Sequence, residues 1–148
     1  MWFMQPVSVS TEVPQDMERV YAFLDVMGNH EQFTDHMLRD WQLSGPERGV
    51  GARANVTAVM GGRSEPVAIE VVDAEEPRTI VERNVGAGGK RVAHGTYRLA
   101  PAGPGTMITF EYAWQSAPLP ERLAAPLVRA TVRRGLQQSM ERLRDTLS

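Results

Sequence analysis

Glu82 is one of the few side chains in this sequence whose setting could support acid or base chemistry. It lies in a predicted strand near residues 78–85, and neither face of that strand is clearly apolar. If Ile80 points inward, Glu82 does so too, because side chains two apart in a strand share a face. Burial would then raise the pKa of the carboxyl toward neutrality. If Thr79 and Val81 point inward instead, Glu82 is an exposed sheet residue, and the pattern leaves both phases open.

The three histidines invite a metal-binding interpretation that their spacing does not support. His30 and His36 are six residues apart, which on a helix places them about 120° from a common face. The sequence also contains no HExxH arrangement, so we predict no metal. His36 either lies at the mouth of a cavity or in solvent, and His94 falls on the outer face of its predicted strand.

Other familiar catalytic arrangements are missing from the sequence. The chain has no cysteine, which excludes thiolate nucleophiles, disulfides and cysteine-ligated metals and makes the cytoplasm the natural compartment. The glycine-rich residues 86–89 fall between two predicted strands, so they form a hairpin rather than the start of a phosphate-binding helix. There is no Gly-x-Ser-x-Gly elbow. We therefore predict no cofactor.

Composition and charge indicate one soluble globular domain over residues 1–148. Hydrophobic residues make up 42% and charged residues 23% of the chain, as in ordinary domains of this size. The net charge of −2 argues against a nucleic-acid partner. No stretch approaches the roughly 18 apolar residues of a membrane span, so no stable membrane insertion is expected. The arginines of the last thirty residues are interleaved with acids and are interpreted as a solvated helix face.

The period of the apolar residues changes along the chain. Residues 7–13 alternate as a strand, and after Pro14 the apolar residues recur at helical spacing, which predicts a short helix and then a second helical turn near residues 29–34. Turn clusters then delimit six more strands, near residues 40–44, 51–60, 64–73, 78–85, 90–100 and 106–116. From about Pro126 the spacing predicts a long helix, with a looser turn before it.

This order predicts an α+β fold in which a curved, seven-stranded antiparallel sheet wraps around the long C-terminal helix. Two short helices follow the first strand. The apolar stripe of this helix includes Val132, Leu136, Met140 and Leu143. We expect the stripe to be buried and Arg133 and Arg144 to be more exposed to solvent. One helix is only about 10 Å wide, so we expect a lined gap between the helix and the sheet at the end that the short helices cap.

The last strand shows most clearly which side chains would line that gap. Ile108, Phe110, Tyr112 and Trp114 alternate with polar residues and should face inward. On the preceding strand, Tyr97 extends the same face. Small alanines on other strands leave volume unfilled beside these rings, which suits a cavity, although a close-packed core would show the same pattern.

Nearly the whole chain resembles the SRPBCC superfamily of START-like, polyketide cyclase/dehydrase-like and birch-pollen-allergen-like proteins. The resemblance rests on the order and spacing of a strand–proline–helix opening and of several turn and strand motifs, at residues 9–25, 45–51, 75–80, 95–101 and 105–110. It implies the helix-grip fold, and it supports an internal hydrophobic cavity. We expect that cavity to be lined by Tyr97, Phe110, Tyr112, Trp114 and Met140 and gated by the region from Phe33 to Trp41.

Two functions fit these expectations. The first is binding or transport of a hydrophobic small molecule, lipid or polyketide-like, by a monomer or homodimer. The alternative is a polyketide cyclase/dehydratase-type enzyme that acts on a carbonyl substrate by acid/base catalysis. Tyr97, Tyr112, Glu82 and His36 are the groups available for such catalysis, and no pair among them has diagnostic spacing.

Overall fold

The protein structure is a computed structural model that describes residues 4–148. The strands in this part of the chain are β1 (Val7–Val13), β2 (Leu38–Ser44), β3 (Arg53–Met60), β4 (Arg63–Glu75), β5 (Thr79–Gly86), β6 (Arg91–Ala102) and β7 (Gly105–Ser116). The α-helices are α1 (Met17–Asp25), α2 (Glu31–Thr34), α3 (Leu119–Leu123) and α4 (Ala125–Thr146). Short 3₁₀ turns lie at Met27–Asn29 and Ala87–Gly89.

The strands form one antiparallel sheet of seven strands in the order β1-β7-β6-β5-β4-β3-β2. Strands β2 to β7 are neighbours in chain order because the connections between them are short. β1 is the exception, since it pairs with β7 from the far end of the sequence. This arrangement, with the long C-terminal helix and the short helices after the first strand, confirms the predicted α+β fold.

The boundaries of the elements differ from the prediction at a few places. β3 begins at Arg53 rather than near residue 51, because Gly51 adopts a φ of 95° that a strand does not use. The segment expected to be a loose turn before the long helix contains α3. α4 then begins at Ala125 and holds Pro126 in its first turn, where the missing N–H of proline breaks no helical hydrogen bond.

The short helices are held by local capping and by contacts with the sheet and α4. Asp16 caps α1, because its side chain accepts a hydrogen bond of 2.9 Å from the backbone N–H of Arg19. α1 packs against β6 and β7, whereas α2 packs against α4 and β2. The two helices therefore bridge the sheet and the C-terminal helix at one end of the fold.

Helix α4 packs against β1 and α2 and carries much of the core. Leu136, Met140 and Leu143 are buried as predicted, and Arg144 is exposed. The prediction was wrong in detail for Val132, which is only half-buried because it borders a cavity. Arg133 is half-buried and therefore more exposed than Leu136, Met140 and Leu143, as predicted, and its guanidinium donates a hydrogen bond of 3.2 Å to the carbonyl of Ser8 on β1.

Candidate ligand-binding site

A cavity of about 800 Å³ lies between the inner face of the sheet and α4. Strands β2 to β7 and helices α2, α3 and α4 all contribute side chains to its wall. Most of these side chains are apolar, and a few polar ones are placed among them. That composition is typical of sites that bind small organic molecules.

All the side chains that the sequence suggested for ligand binding line this cavity. They are Phe33, Trp41, Tyr97, Phe110, Tyr112, Trp114 and Met140. Phe33 lies on α2 and Trp41 on β2, so the segment between them forms one wall of the cavity. That these residues bind a ligand, and that this segment acts as a gate, stay predictions.

The aromatic side chains of β6 and β7 form two contacting pairs. The ring centroids of Tyr97 and Phe110 are 4.6 Å apart, and those of Tyr112 and Trp114 are 4.9 Å apart with nearly perpendicular planes. Across the ladder, Gly95 pairs with Tyr112, and Ala93 pairs with Trp114. Large rings on β7 therefore face small residues on β6, which leaves free volume above the sheet.

Glu82 faces the cavity, so the structure settles the ambiguous phase of β5. Ile80 is 1% exposed and Glu82 is 5% exposed, whereas Arg83 between Glu82 and Asn84 points outward. Burial raises the pKa of Glu82 from 4.5 to about 7, and the nearby amide of Asn84 offsets part of this rise. Its carboxyl can therefore hold a proton near neutral pH.

His30 lies beside Glu82 and is one of the polar residues of the cavity that sequence reasoning missed. Its Nε2–H donates a hydrogen bond of 2.7 Å to the carbonyl of Leu24, and its Nδ1 lies 3.9 Å from Oε2 of Glu82. Burial lowers the pKa of His30, so the ring is neutral and Nδ1 carries a lone pair. Its spacing of three residues from both Met27 and Phe33, which are buried, was the signal for burial.

His36, the other weak catalytic candidate, does not line the cavity. Its Nε2–H donates a hydrogen bond of 2.9 Å to the carbonyl of Gly135 on α4. The imidazole is half-buried between the end of α2 and that helix. His36 is thus not free in solvent, and it lies directly behind Ser139, a side chain of the cavity wall whose Oγ is 3.4 Å from its Nε2.

Arg91 forms a charged cluster at the other end of the cavity wall. Its guanidinium is bonded to Glu65 on β4 and to Glu121 on α3, with a distance of 2.8 Å from Nε to Oε1 of Glu121. Only 17% of the Arg91 side chain is exposed. The cluster fastens α3 to the sheet, and Glu65 and Glu121 engage three of the five N–H groups of Arg91 and balance its charge.

The described residues 4–148 hold no group of three or more His, Asp or Glu side chains arranged to bind a metal ion. Within the same residues, no helix is long and apolar enough to cross a membrane. The polar groups that line the cavity include the imidazole of His30, the carboxyl of Glu82, the amide of Asn84 and the hydroxyls of Tyr97, Tyr112 and Ser139.

Residues 4–148 match a family model described as polyketide cyclase/dehydrase and lipid transport. This match covers almost the entire chain and agrees with the helix-grip architecture described above. No protein with a curated function matches the sequence.

Several solved structures share the fold at low sequence identity. The protein TTHA0849 from Thermus thermophilus is 19% identical, with 97% of each chain covered and a TM-score of 0.77. The KanY protein is 16% identical, with 99% of each chain covered and a TM-score of 0.76. Major latex-like protein 151 from Panax ginseng is 11% identical, with 99% of each chain covered and a TM-score of 0.74. At such identities the similarity shows the fold alone.

Proposed function

The chain belongs to the polyketide cyclase/dehydrase and lipid transport family, and we propose that it binds or carries a hydrophobic small molecule, lipid or polyketide-like, in the cavity. The observation that supports this most directly is the size of the cavity, about 800 Å³, together with its aromatic wall. A hydrophobic molecule that enters this cavity would release water from its apolar lining, which is favourable.

The apolar lining offers enough binding free energy for a useful affinity. Burying about 300 Å² of ligand surface yields roughly 7 kcal/mol at about 25 cal/mol per Å². Association costs reduce this figure, which leaves affinities around micromolar or weaker. A cytoplasmic location and a monomeric or homodimeric state, without a nucleic-acid partner, stay expectations of the proposal.

Native mass spectrometry of the purified protein, followed by organic extraction, tests this function. We expect a co-purified lipophilic molecule that dissociates under activation. The variant Val132→Trp, which fills the cavity from α4, should lose that molecule, whereas Gln138→Trp on the exposed side of the same helix should retain it. Equal retention by both variants would contradict binding in this cavity.

The enzymatic alternative is favoured by one observation, the neutral His30 beside the protonatable Glu82. A cyclase or dehydratase needs an acid that polarises a carbonyl and a base that removes a proton from carbon. Turnover of an added poly-β-keto mimic that is lost in Glu82→Gln would support this alternative. Binding of the mimic without turnover would favour the carrier function.

A further inference from the structure

Two polar atoms that line the cavity form no hydrogen bond of normal distance and angle within the described residues 4–148, although the Asn84 amide is close enough to the Glu82 carboxyl to lower its pKa. They are Oε2 of Glu82 and Nδ2 of Asn84, and both are buried. The two residues are two positions apart on β5, so their side chains share the face of the sheet that forms the cavity wall. Buried polar groups left without partners destabilise a fold, and a ligand in the cavity could satisfy both at once.

The remaining groups around Glu82 carry no free positive charge. His30 faces it from the turn before α2, and Tyr97 faces it from β6. The charge of Glu82 also helps to raise the pKa of Tyr112 on β7, as the smallest of several causes. The imidazole of His30 is neutral, with its Nε2–H committed to the carbonyl of Leu24. A carboxylate ligand would therefore meet no cation at this end of the cavity.

The cations that line the cavity lie far from Glu82. Arg91 pairs with Gly86, which lies four residues from Glu82 on β5, a separation of about 13 Å along the strand, and it is already bonded to Glu65 and Glu121. Arg63 is exposed at the start of β4, eight residues before Val71, the residue that pairs with Glu82. That is about 26 Å along the strand.

We propose that the ligand enters this end of the cavity with an uncharged carbonyl group, as in a ketone, ester or quinone, whose oxygen accepts hydrogen bonds from Glu82 and Asn84. Ligands that end in a carboxylate are rejected there. This inference rests on the proposed binding function and specifies the chemical class of the ligand. The acid form of Glu82 supplies the donor, so binding of the carbonyl weakens as Glu82 ionises.

Three probes with one ring system test the proposal: naphthyl methyl ketone, isopropylnaphthalene and naphthoate. Their dissociation constants are measured by tryptophan fluorescence at about pH 6 for the wild type and Glu82→Leu. For each protein, the affinity for the ketone is divided by the affinity for the hydrocarbon. The two probes differ in hydration by the same amount in every experiment, so comparing this ratio between proteins cancels most of that difference. We expect this ratio to fall about fivefold to tenfold in Glu82→Leu, the effect of losing one hydrogen bond. In the wild type, naphthoate should bind at least tenfold more weakly than the ketone.

Further variants separate recognition from folding. Asn84→Leu removes the second donor, so it should also lower the ratio of ketone to hydrocarbon affinity. If Glu82→Leu does not fold, Asn84→Leu supplies this measurement in its place. Glu82→Gln keeps a neutral donor, so it should retain the ketone preference and remove its decline between about pH 6 and pH 8. Glu111→Leu, on the outer face of β7, is the control and should leave the ratio unchanged.

The outcomes distinguish this inference from the proposed function. If the hydrocarbon binds and the ratio is the same in the wild type, Glu82→Leu and Asn84→Leu, the carbonyl assignment is wrong while the binding function stands. Naphthoate binding as tightly as the ketone would also overturn the assignment. If none of the three probes binds the folded wild type and nothing lipophilic co-purifies, the binding function fails, and the carbonyl assignment fails with it.

Discussion

The ring of Phe110 lies directly over the backbone of Gly95, between β7 and β6. A Cβ added to Gly95 would lie 2.6 Å from Cζ of Phe110 and 3.3 Å from Cγ of Glu82. Glycine therefore allows an aromatic ring and a carboxyl side chain to share the space above one backbone position. Both side chains line the cavity, so this single contact helps to determine the shape of its floor.

Gly95→Ala should destabilise the protein by about 1–3 kcal/mol, because the ring of Phe110 must move from a well-packed position. Urea unfolding followed by circular dichroism measures the change. Thr96→Ala, at the next position on the outer side of β6, is the control and should change stability by less than about 0.5 kcal/mol. An unchanged midpoint for Gly95→Ala would show that the ring moves without cost.

Glu82→Gln should remove part of the pH dependence of stability. Burial raises the pKa of Glu82 from 4.5 to about 7, so the folded state keeps the proton longer than the unfolded chain does. The contribution of the protonated carboxyl is fully present below about pH 4.5 and is lost as the pH rises to about 7. Across that interval the wild type should lose up to about 3 kcal/mol relative to the variant.

The measurement is the difference in unfolding free energy between the two proteins at several pH values from about 4 to 8. His30 contributes with the opposite sign, because its lowered pKa makes stability fall below about pH 6.5. This contribution is present in both proteins and largely cancels in the difference. A difference that stays flat over the whole range would contradict the buried, protonatable state of Glu82.

Trp114→Ala should weaken binding of a lipophilic probe by about 1–3 kcal/mol, because a large contact surface is lost from the cavity wall. Trp114 is 7% exposed and lines the cavity. Arg98→Ala lies on the outer face of β6 and should change probe affinity little. Equal affinity of the wild type and a folded Trp114→Ala would remove this side chain from the site.

Arg91→Gln should destabilise the protein by about 1–3 kcal/mol, because Glu65 and Glu121 would be left half-buried without their cation. Hydrogen exchange should also become faster in Leu119–Leu123, the helix that Glu121 fastens to the sheet. Arg98→Gln is the matched control, since its pair with Glu111 is long, at 3.6 Å, and more exposed. Unchanged exchange in α3 would show that the cluster does not hold this helix.

The site could be predicted well only on strands whose two faces differ clearly in hydrophobicity. In β7 the large inward-facing side chains alternate mostly with polar or small ones, so the sequence placed Phe110 and Trp114 on the inner face correctly. In β5 each face carries a charged residue, and only the packing of Ile80 against its neighbours selects the phase that turns Glu82 inward. Local patterns carry no information of that kind.

His30 illustrates a second limit of prediction from sequence, which concerns contacts between residues that are distant in the chain. Its position depends on a hydrogen bond to Leu24 and on contact with Glu82, which is more than fifty residues away in the chain. The order of strands and helices was predictable, because turn clusters and a change of apolar period mark each element, and the family resemblance implied how they pack. The distances between side chains from different elements arise only when those elements pack.

The pairing of β1 with β7 determines when the fold can be completed. Val7 pairs with Tyr112, and Arg129 and Arg133 on α4 donate hydrogen bonds to backbone carbonyls at Gln5, Pro6 and Ser8. These contacts close loops of more than a hundred residues, which slows folding because the entropy of closure must be overcome before the contacts form. During synthesis, strands β2 to β6 are made before residues 125–146, the helix that covers their inner face. The apolar side chains of that face therefore have no α4 to pack against until the last part of the chain is made.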